Sequence, residues 1–330
     1  MLTLGIETSC DDTSIALLEG ETDLRANLVS SQIEHAAYGG VVPELASRAH
    51  VSNVLPVFDR ALEEAGARPE EIDLIGVTHA PGLAGALLVG GAFAQGLSLA
   101  LDRPIVPVHH LEAHAVAILL EHPGLRLPAV ALIVSGGHTL LVHVRAWRSY
   151  EVVGRTRDDA AGEAFDKVAK LLGLGFPGGP AIEREARSGD PRAIEFPRPM
   201  LGSGDLDLSF SGLKTAVLQW VEGREASEVA ARRADVCASF QAAVVDVLVE
   251  KSARAADELG VPSVILAGGV ACNRALREAL AARLSGRSVA WPSPILCTDN
   301  GAMIARTALL RADQAVRPGE FEIHASLPLP

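Results

Sequence analysis

The chain reads as an α/β protein of two pseudo-symmetric lobes with a cleft between them, and three observations lead there. A strand, a tight polar turn and a returning strand fill residues 2 to 19, and the same pattern recurs at 129 to 144, about 128 residues later. Each hairpin is followed by the same succession: a helix, a short apolar strand ending in small residues, a helix, another strand and a final helix. Hydrophobic residues make up 48% of the 330 and aromatics only 4%, so Ala, Leu and Val supply a core ample for two lobes. The expected division is 1–127 for the first lobe and 128–330 for the second, with a helical insertion at about 157–233 in the latter.

In the first half, Leu2–Ser9 is a strand that ends in small and acidic residues, Cys10–Thr13 turns, and Ser14–Glu19 returns. Such a turn presents backbone amides and hydroxyls, which suits either a phosphate or metal-water site or an ordinary polar hairpin. A loop carries Gly39–Glu44, and a helix from about Ala49 to Ala65 is ended by Gly66. Asp73–Thr78 is a short buried strand. Residues 80–101 then run 22 positions without a charge, long enough to span a bilayer. Pro81-Gly82 at the start, four further glycines and Gln95 point instead to a fully buried helix packed through its small residues. Ile105–Val108 is a strand, and a helix follows from Leu111 to Glu121.

The second half restarts with strand Ala129–Val134, turn Ser135–His138 and strand Thr139–Val144. Arg157-Asp158-Asp159 leads into a helix over Ala160–Leu172, a glycine-rich stretch covers 173–180, and a further helix starts within Ser209–Thr215. A long amphipathic helix, Asp235–Glu258, precedes the last α/β elements. Strand Val261–Ala267 with Gly268-Gly269 matches Ile72–Thr78 with Pro81-Gly82; Ser288–Trp291 matches Ile105–Val108; the helix at Asp299 matches the helix at His110.

His110 and His114 sit four residues apart on one helix face, a spacing that lets two imidazoles chelate one transition metal. The competing reading is a capping or surface pair. Position favours the ligand reading, because the pair follows the carboxyl end of a strand, where open α/β sheets hold ligands. In the pseudo-symmetric register Asp299 meets the pair across the cleft, giving a two-His, one-carboxylate site suited to Fe(II) or Zn(II). The helix-borne metalloprotease motif places its base directly after the first histidine. Here Leu111 stands there and Glu112 points to the opposite face.

Three glycine pairs, Gly136-Gly137, Gly178-Gly179 and Gly268-Gly269, fall at turns where backbone amides can approach a phosphate or ribose. Together, with Asn273 opening a helix after the last, they suggest a nucleotide site. Asp166 and Glu183 are possible ribose contacts or plain helix-surface carboxylates. No P-loop lysine motif is present, and no serine-hydrolase elbow is found.

Composition limits the setting. Cys10, Cys237, Cys272 and Cys297 have no framework spacing, as in a reduced cytoplasmic protein, and no basic, apolar leader opens the sequence. The net charge of −12 opposes general nucleic-acid binding, so RNA contact needs a local basic patch or a partner. Candidate patches are Arg145, Arg148, Arg155 and Arg157, and Arg184 with Arg187. The stripe Val51, Val54, Leu55, Phe58 and Leu62 is broad enough to serve a second protein as well as the core.

ETSCDDT (7–13), HHLEAH (109–114), VSGGHT (134–139), FDKVAKLLGL (165–174), FPGGP (176–180), SFSGLKT (209–215), AGGVACN (267–273) and TDNGAMIA (298–305) together make the chain resemble the TsaD threonylcarbamoyltransferase family, once called glycoprotease or O-sialoglycoprotein endopeptidase. The resemblance spans nearly the whole chain. It implies an actin/hexokinase-like (ribonuclease-H-like) fold. It also implies transfer of threonylcarbamoyl from threonylcarbamoyl-AMP to the adenosine 3′ of the anticodon, in tRNAs reading codons that begin with A. The ligands of one divalent metal, Fe(2+) ahead of Zn(2+), would be His110, His114 and Asp299. The donor would contact Ile133, Val134, Ser135, Gly136, Gly137, Asp166, Gly179, Glu183 and Asn273. Glu183 departs from the Asp common in the family. The implied partners are the tRNA anticodon loop, a TsaB-like paralogue and a TsaE-like ATPase, with no membrane. A metal-dependent protease and a sugar kinase or ATPase of the same fold are the alternatives.

Overall fold

The computed structural model describes residues 1–32, 35 and 40–329, and the chain divides into two compact units. In the first, strands β1 (Leu2–Glu7), β2 (Asp12–Glu19), β3 (Asp23–Ser31), β4 (Leu74–Ala80) and β5 (Ile105–His109) form one sheet in the order β3-β2-β1-β4-β5. β1–β2 and β2–β3 are antiparallel, whereas β1–β4 and β4–β5 are parallel. Helices α1 (Pro43–Ala65), α2 (Ala84–Leu101) and α3 (His110–Val116) accompany it.

The second unit repeats the plan. Its strands β6 (Ala129–Val134), β7 (Thr139–Ala146), β8 (Ser149–Arg155), β9 (Ser263–Ala267) and β10 (Ser288–Ala290) take the order β10-β9-β6-β7-β8. The hairpin β6–β7 is antiparallel, and β6–β9 and β9–β10 are parallel, strand for strand as in the first sheet. Its helices are α4 (Ala161–Leu171), α5 (Gly178–Ala186), α6 (Ser211–Glu222), α7 (Ala226–Ala231), α8 (Arg233–Glu258) and α9 (Arg274–Arg283).

The chain then returns to the first unit through α10 (Pro294–Cys297) and α11 (Gly301–Leu310), so that Pro292–Pro330 groups with Met1–Leu125 and not with the second half. This corrects the expected assignment of residues 292–330 to the second lobe. The cause is the apolar character of α11. Met303, Ile304 and Ala308 pack with Leu74, Val106, Val108, Ala113 and Ala117, while Ala302 and Ala305 pack with Ala16, Leu18 and Leu120. The helix lies so close to the sheet that a Cβ on Gly5 would stand 2.0 Å from the Gly301 carbonyl oxygen. Glycine is needed there for the approach.

Local differences from the sequence reading have simple causes. α1 starts six residues early because Pro43 suits a first helical turn, and it ends as expected with Gly66 left-handed at φ 61°. Gly39 of the expected loop lies outside the described residues. The helix at the histidines tightens to a 3-10 turn over Ala117–Leu120. α2 is not fully buried: Gly90 closes onto Thr8 and Gly91 onto Ile323, but Leu88 and Leu99 are 59% and 72% exposed. Among the described residues it is the one helix long and apolar enough to cross a membrane, with a third of it buried in the fold.

Candidate functional site

The four-residue turn between β1 and β2 organises the first unit's chemistry. β1 ends at Glu7, whose carboxylate is fully buried; Oε1 accepts from the Ser9 amide at 2.5 Å and Oε2 from Thr78 Oγ1 at 2.6 Å. Oε2 also lies 3.0 Å from His110 Nδ1, with Ser9 Oγ 3.2 Å from the same nitrogen. The turn is pinned from α1 by His50, entirely buried, which donates from Nε2 to the Cys10 carbonyl at 2.9 Å and accepts at Nδ1 from Thr13 Oγ1 at 2.8 Å. The carbonyl can only accept, which fixes the tautomer. Beyond the turn, Ser14 Oγ accepts from the Gly301 amide at 2.8 Å, Asn27 Oδ1 from Ala302 at 3.3 Å and Asn300 Oδ1 from Met303 at 2.9 Å. Side chains thus cap the amides that α11 leaves open at its start. Asp299, immediately before that cap, is held in place.

His110, His114 and Asp299 come together within this one unit, their donor atoms within 4.8 Å of one another. Asp299 Oδ1 stands 3.2 Å from His114 Nε2 and 3.6 Å from His110 Nε2. The expectation that Asp299 reaches the histidines from the second lobe is therefore corrected: it returns to the first unit on the chain leading into α11. Neither ring nitrogen of His114, itself buried, has a hydrogen-bond partner among the described residues. Its Nε2 faces only the Asp299 carboxylate and its Nδ1 meets no partner, which costs stability unless something else binds there. Metal bonds of about 2.0–2.2 Å near tetrahedral angles place neighbouring donors about 3.3–3.6 Å apart. The two separations from Asp299, 3.2 and 3.6 Å, lie close to that edge, so the residues fit a metal ion.

The electrostatics agree. Burial, the largest influence, pushes Glu7 up and His110 down. The His110 charge and its hydrogen bond nevertheless hold Glu7 below the usual carboxylate range. Asp299 and Glu7 in turn raise His110 to about 9. Asp12, at the start of β2, is pushed up to about 6 by burial, with Asp299, Asp11 and Glu7 adding to it.

Glu112 occupies the other face of α3, buried and bonded to Arg311, the residue that ends α11. A paired carboxylate turned away from the histidines cannot act as the base of a metalloprotease.

The expected donor contacts all fall in the second unit. Ile133 and Val134 end β6 and are fully buried, so any contact from them is through backbone. Ser135 closes the next turn, its amide donating to the His138 carbonyl at 2.8 Å and its carbonyl accepting from Gly162 at 3.2 Å. A Cβ on Gly136, Gly137, Gly179 or Gly269 would meet nothing within 4 Å, so these backbones face open space. Asp166, on α4, accepts from the Gly178 amide at 2.7 Å, and Glu183, on α5, from the Arg274 amide at 3.0 Å. Asn273 caps α9, accepting from the Leu276 amide at 3.0 Å and donating to Gln241 at 2.8 Å. Its place is that of a brace between α8 and α9 as much as of a ligand contact. Gly268 holds φ 90°, and a Cβ there would stand 2.4 Å from the Val134 carbonyl oxygen. Only glycine brings β9 against β6 at this point.

Sequence reasoning missed Glu7, Thr78 and His50. Glu7 sits in a motif and at a strand end, which was a usable signal; nothing in the sequence marks the other two.

A family model described as tRNA N6-adenosine threonylcarbamoyltransferase matches residues 23–306. A protein of that name from Magnetococcus marinus is 52% identical, covering 94% of this chain and 93% of its own. Another, from Thermomicrobium roseum, is 51% identical over 100% and 97%. Among solved structures, the HypF protein of T. kodakarensis superposes with a TM-score of 0.63 at 16% identity, over 95% of this chain and 48% of that one. The component A of (R)-2-hydroxyglutaryl-CoA dehydratase from Acidaminococcus fermentans gives 0.57 at 16%, over 95% and 99%. These likenesses show the fold, an actin/hexokinase-like α/β architecture.

Proposed function

The chain belongs to the tRNA N6-adenosine threonylcarbamoyltransferase (TsaD) family, and we propose that His110, His114 and Asp299 hold its metal while the open glycine backbones of the second unit receive its donor. It is an acyltransferase that modifies tRNA. The observation that carries the metal assignment is His114, buried without a hydrogen bond among the described residues and with Nε2 3.2 Å from Asp299 Oδ1. Two imidazoles and a carboxylate with open positions suit Fe(II) first and Zn(II) second. The buried Glu7 behind His110 adds a second negative charge, which balances a divalent ion.

In this reading the donor is threonylcarbamoyl-AMP and the acceptor the adenosine 3′ of the anticodon in tRNAs reading codons that begin with A. The N6 amine attacks the carbamoyl carbon, the bond from that carbon to the phosphate oxygen breaks, AMP leaves and the amine gives up one proton. A bound ion would supply Lewis acidity. The backbone at Gly136, Gly137, Gly179 and Gly269, which leaves open space where a Cβ would stand, would let amides approach and stabilise the departing phosphate's charge. Asp166 and Glu183, both close by on α4 and α5, would take the ribose hydroxyls, and Ile133, Val134, Ser135 and Asn273 would frame the adenylate. An adenine in a single-stranded loop can be splayed out at modest cost.

We assign partners as the same family reading implies: a TsaB-like paralogue, a TsaE-like ATPase and the anticodon loop, in the cytoplasm. Two findings support a need for help with RNA. The net charge is −12, and the arginines of the first cluster are largely engaged, Arg145 by Glu151, Arg148 by Asp313 and Arg157 by Asp205 and Asp207. On α1 the apolar stripe divides: Val54, Phe58 and Leu62 are core, whereas Val51 and Leu55 are 65% and 53% exposed. That outer edge is the surface we give to the paralogue. Nucleoside mass spectrometry of tRNA after depletion of the protein tests the function: unchanged N6-threonylcarbamoyladenosine would refute it.

A further inference from the structure

We propose that Glu7 is a positioning residue for the metal: it holds a hydrogen on His110 Nδ1, so that Nε2, on the Asp299 side, is the nitrogen freed for the metal. The inference rests on the metal reading above and goes beyond it, because no ligand role is assigned to Glu7. Every neighbour of its carboxylate donates. The Ser9 amide has no lone pair to offer, Thr78 Oγ1 gives its hydrogen at 2.6 Å, and His110 Nδ1 completes the set at 3.0 Å. A buried ionised carboxylate accepts only. At that distance Nδ1 must therefore be an N–H, and the ligating nitrogen is Nε2, 3.6 Å from Asp299 Oδ1. Glu7 is fully buried at the end of a strand paired on both edges, so it cannot swing away.

His114 has no equivalent: its Nδ1 is buried without a hydrogen-bond partner among the described residues. The two histidines are thus unequal ligands. His110 is oriented by a carboxylate and is made the stronger donor, while His114 is oriented by helix packing alone.

Glu7→Gln changes charge and hydrogen-bond polarity while keeping shape. If its amide group faces Ser9, two donors collide. If it faces His110, Nδ1 must lose its hydrogen, and the hydrogen moves to the ligating nitrogen. Either arrangement weakens metal binding.

The test uses the full chain and Zn2+ as probe. Affinity is measured by chelator competition, and the histidine tautomers by long-range 15N–1H correlation of the unsubstituted protein loaded with Zn2+. Expected are His110 with hydrogen on Nδ1 and zinc on Nε2, and about 10–100-fold weaker binding in Glu7→Gln. Thr78→Val, which removes one donor to the carboxylate and leaves the histidine contact, should fall between. Zinc on His110 Nδ1, or a folded Glu7→Gln protein binding within twofold of the parent, would overturn the proposal. The tautomer measurement decides even if Glu7→Gln does not fold. An Asp299→Ala control keeps the two readings apart. If it binds Zn2+ as tightly as the parent, the site assignment has failed and not the role of Glu7.

Discussion

Both carboxylate oxygens of Glu112 accept from Arg311 Nε, at 2.8 and 2.7 Å, and both side chains are almost wholly enclosed. The pair ties the middle of the histidine helix to the end of α11, whose beginning is preceded by Asp299. Removing one partner strands a buried charge. Arg311→Met should therefore destabilise the protein by about 3–5 kcal/mol, whereas the double change Glu112→Leu with Arg311→Met should recover most of that loss. Urea unfolding of the single and double variants checks it; equal losses in both would mean the pair contributes packing only.

The metal cluster predicts its own failure mode. His110→Ala, His114→Ala or Asp299→Ala should abolish metal binding and transfer while the fold survives. Elemental analysis finding a full complement in a double histidine variant would sink the assignment.

Metal-free protein and metal uptake should respond to pH in opposite directions. Burial alone would lower His110, but Asp299 and Glu7 raise it from 6.5 to about 9. A raised folded value stabilises the fold fully below about 6.5, and that stabilisation is lost as pH climbs through about 9. The ion must displace the same proton, so its apparent affinity should rise about tenfold per pH unit up to about 9 and then level off. Chelator-buffered titrations at three pH values, alongside melting of the stripped protein, read both slopes. A flat affinity profile would show His110 already neutral.

The glycines of the second unit should separate into two classes. Gly137→Ala meets open space and should leave the fold intact while weakening donor binding, because the methyl enters the cradle. Gly268→Ala meets the Val134 carbonyl at 2.4 Å in a left-handed backbone and should unfold the unit or greatly reduce its melting temperature. Asp166→Ala should also weaken donor binding, a lost hydrogen bond costing about 1–3 kcal/mol. Asn273→Ala should do so too, and additionally lose about 1 kcal/mol of stability as a helix cap. Calorimetric titration with a donor analogue, paired with thermal melts, distinguishes them.

Alone, the chain should bind tRNA poorly and modify it slowly. Val51→Glu with Leu55→Glu should leave melting unchanged and remove most of the rate gained on adding the paralogue and ATPase. Tight tRNA binding at physiological salt with full turnover by the isolated chain would refute the need for partners.

Much of this was legible beforehand because it rests on local rules. Alternation and small-residue ends disclosed the repeated hairpin, and the i, i+4 spacing disclosed His110 and His114. The outer strands β3 and β8 were missed because, at sheet edges and partly exposed, they lack a continuous apolar run. Apolar residues in α11 announced burial but not against which sheet. The stripe on α1 looked uniform, since five hydrophobic residues cannot declare which of them lie inward. His50 and Thr78 act through long-range hydrogen bonds, which leave no periodic trace.

The return of residues 292–330 to the first unit sets a schedule for biosynthesis. That unit's sheet leaves the ribosome early, but the helix that fills its face comes last, and Asp299 follows His110 by about 190 residues. At about 5–20 residues per second the nascent chain spends roughly 10–40 s with two histidines exposed and no carboxylate to join them. Gly5 and Gly76, shaped to receive α11, face an empty groove throughout. The second unit, whose segments between Arg126 and Trp291 are complete before α11 emerges, is free to fold first. A chain arrested before α11 would thus carry the whole second unit but would hold His110 and His114 without Asp299.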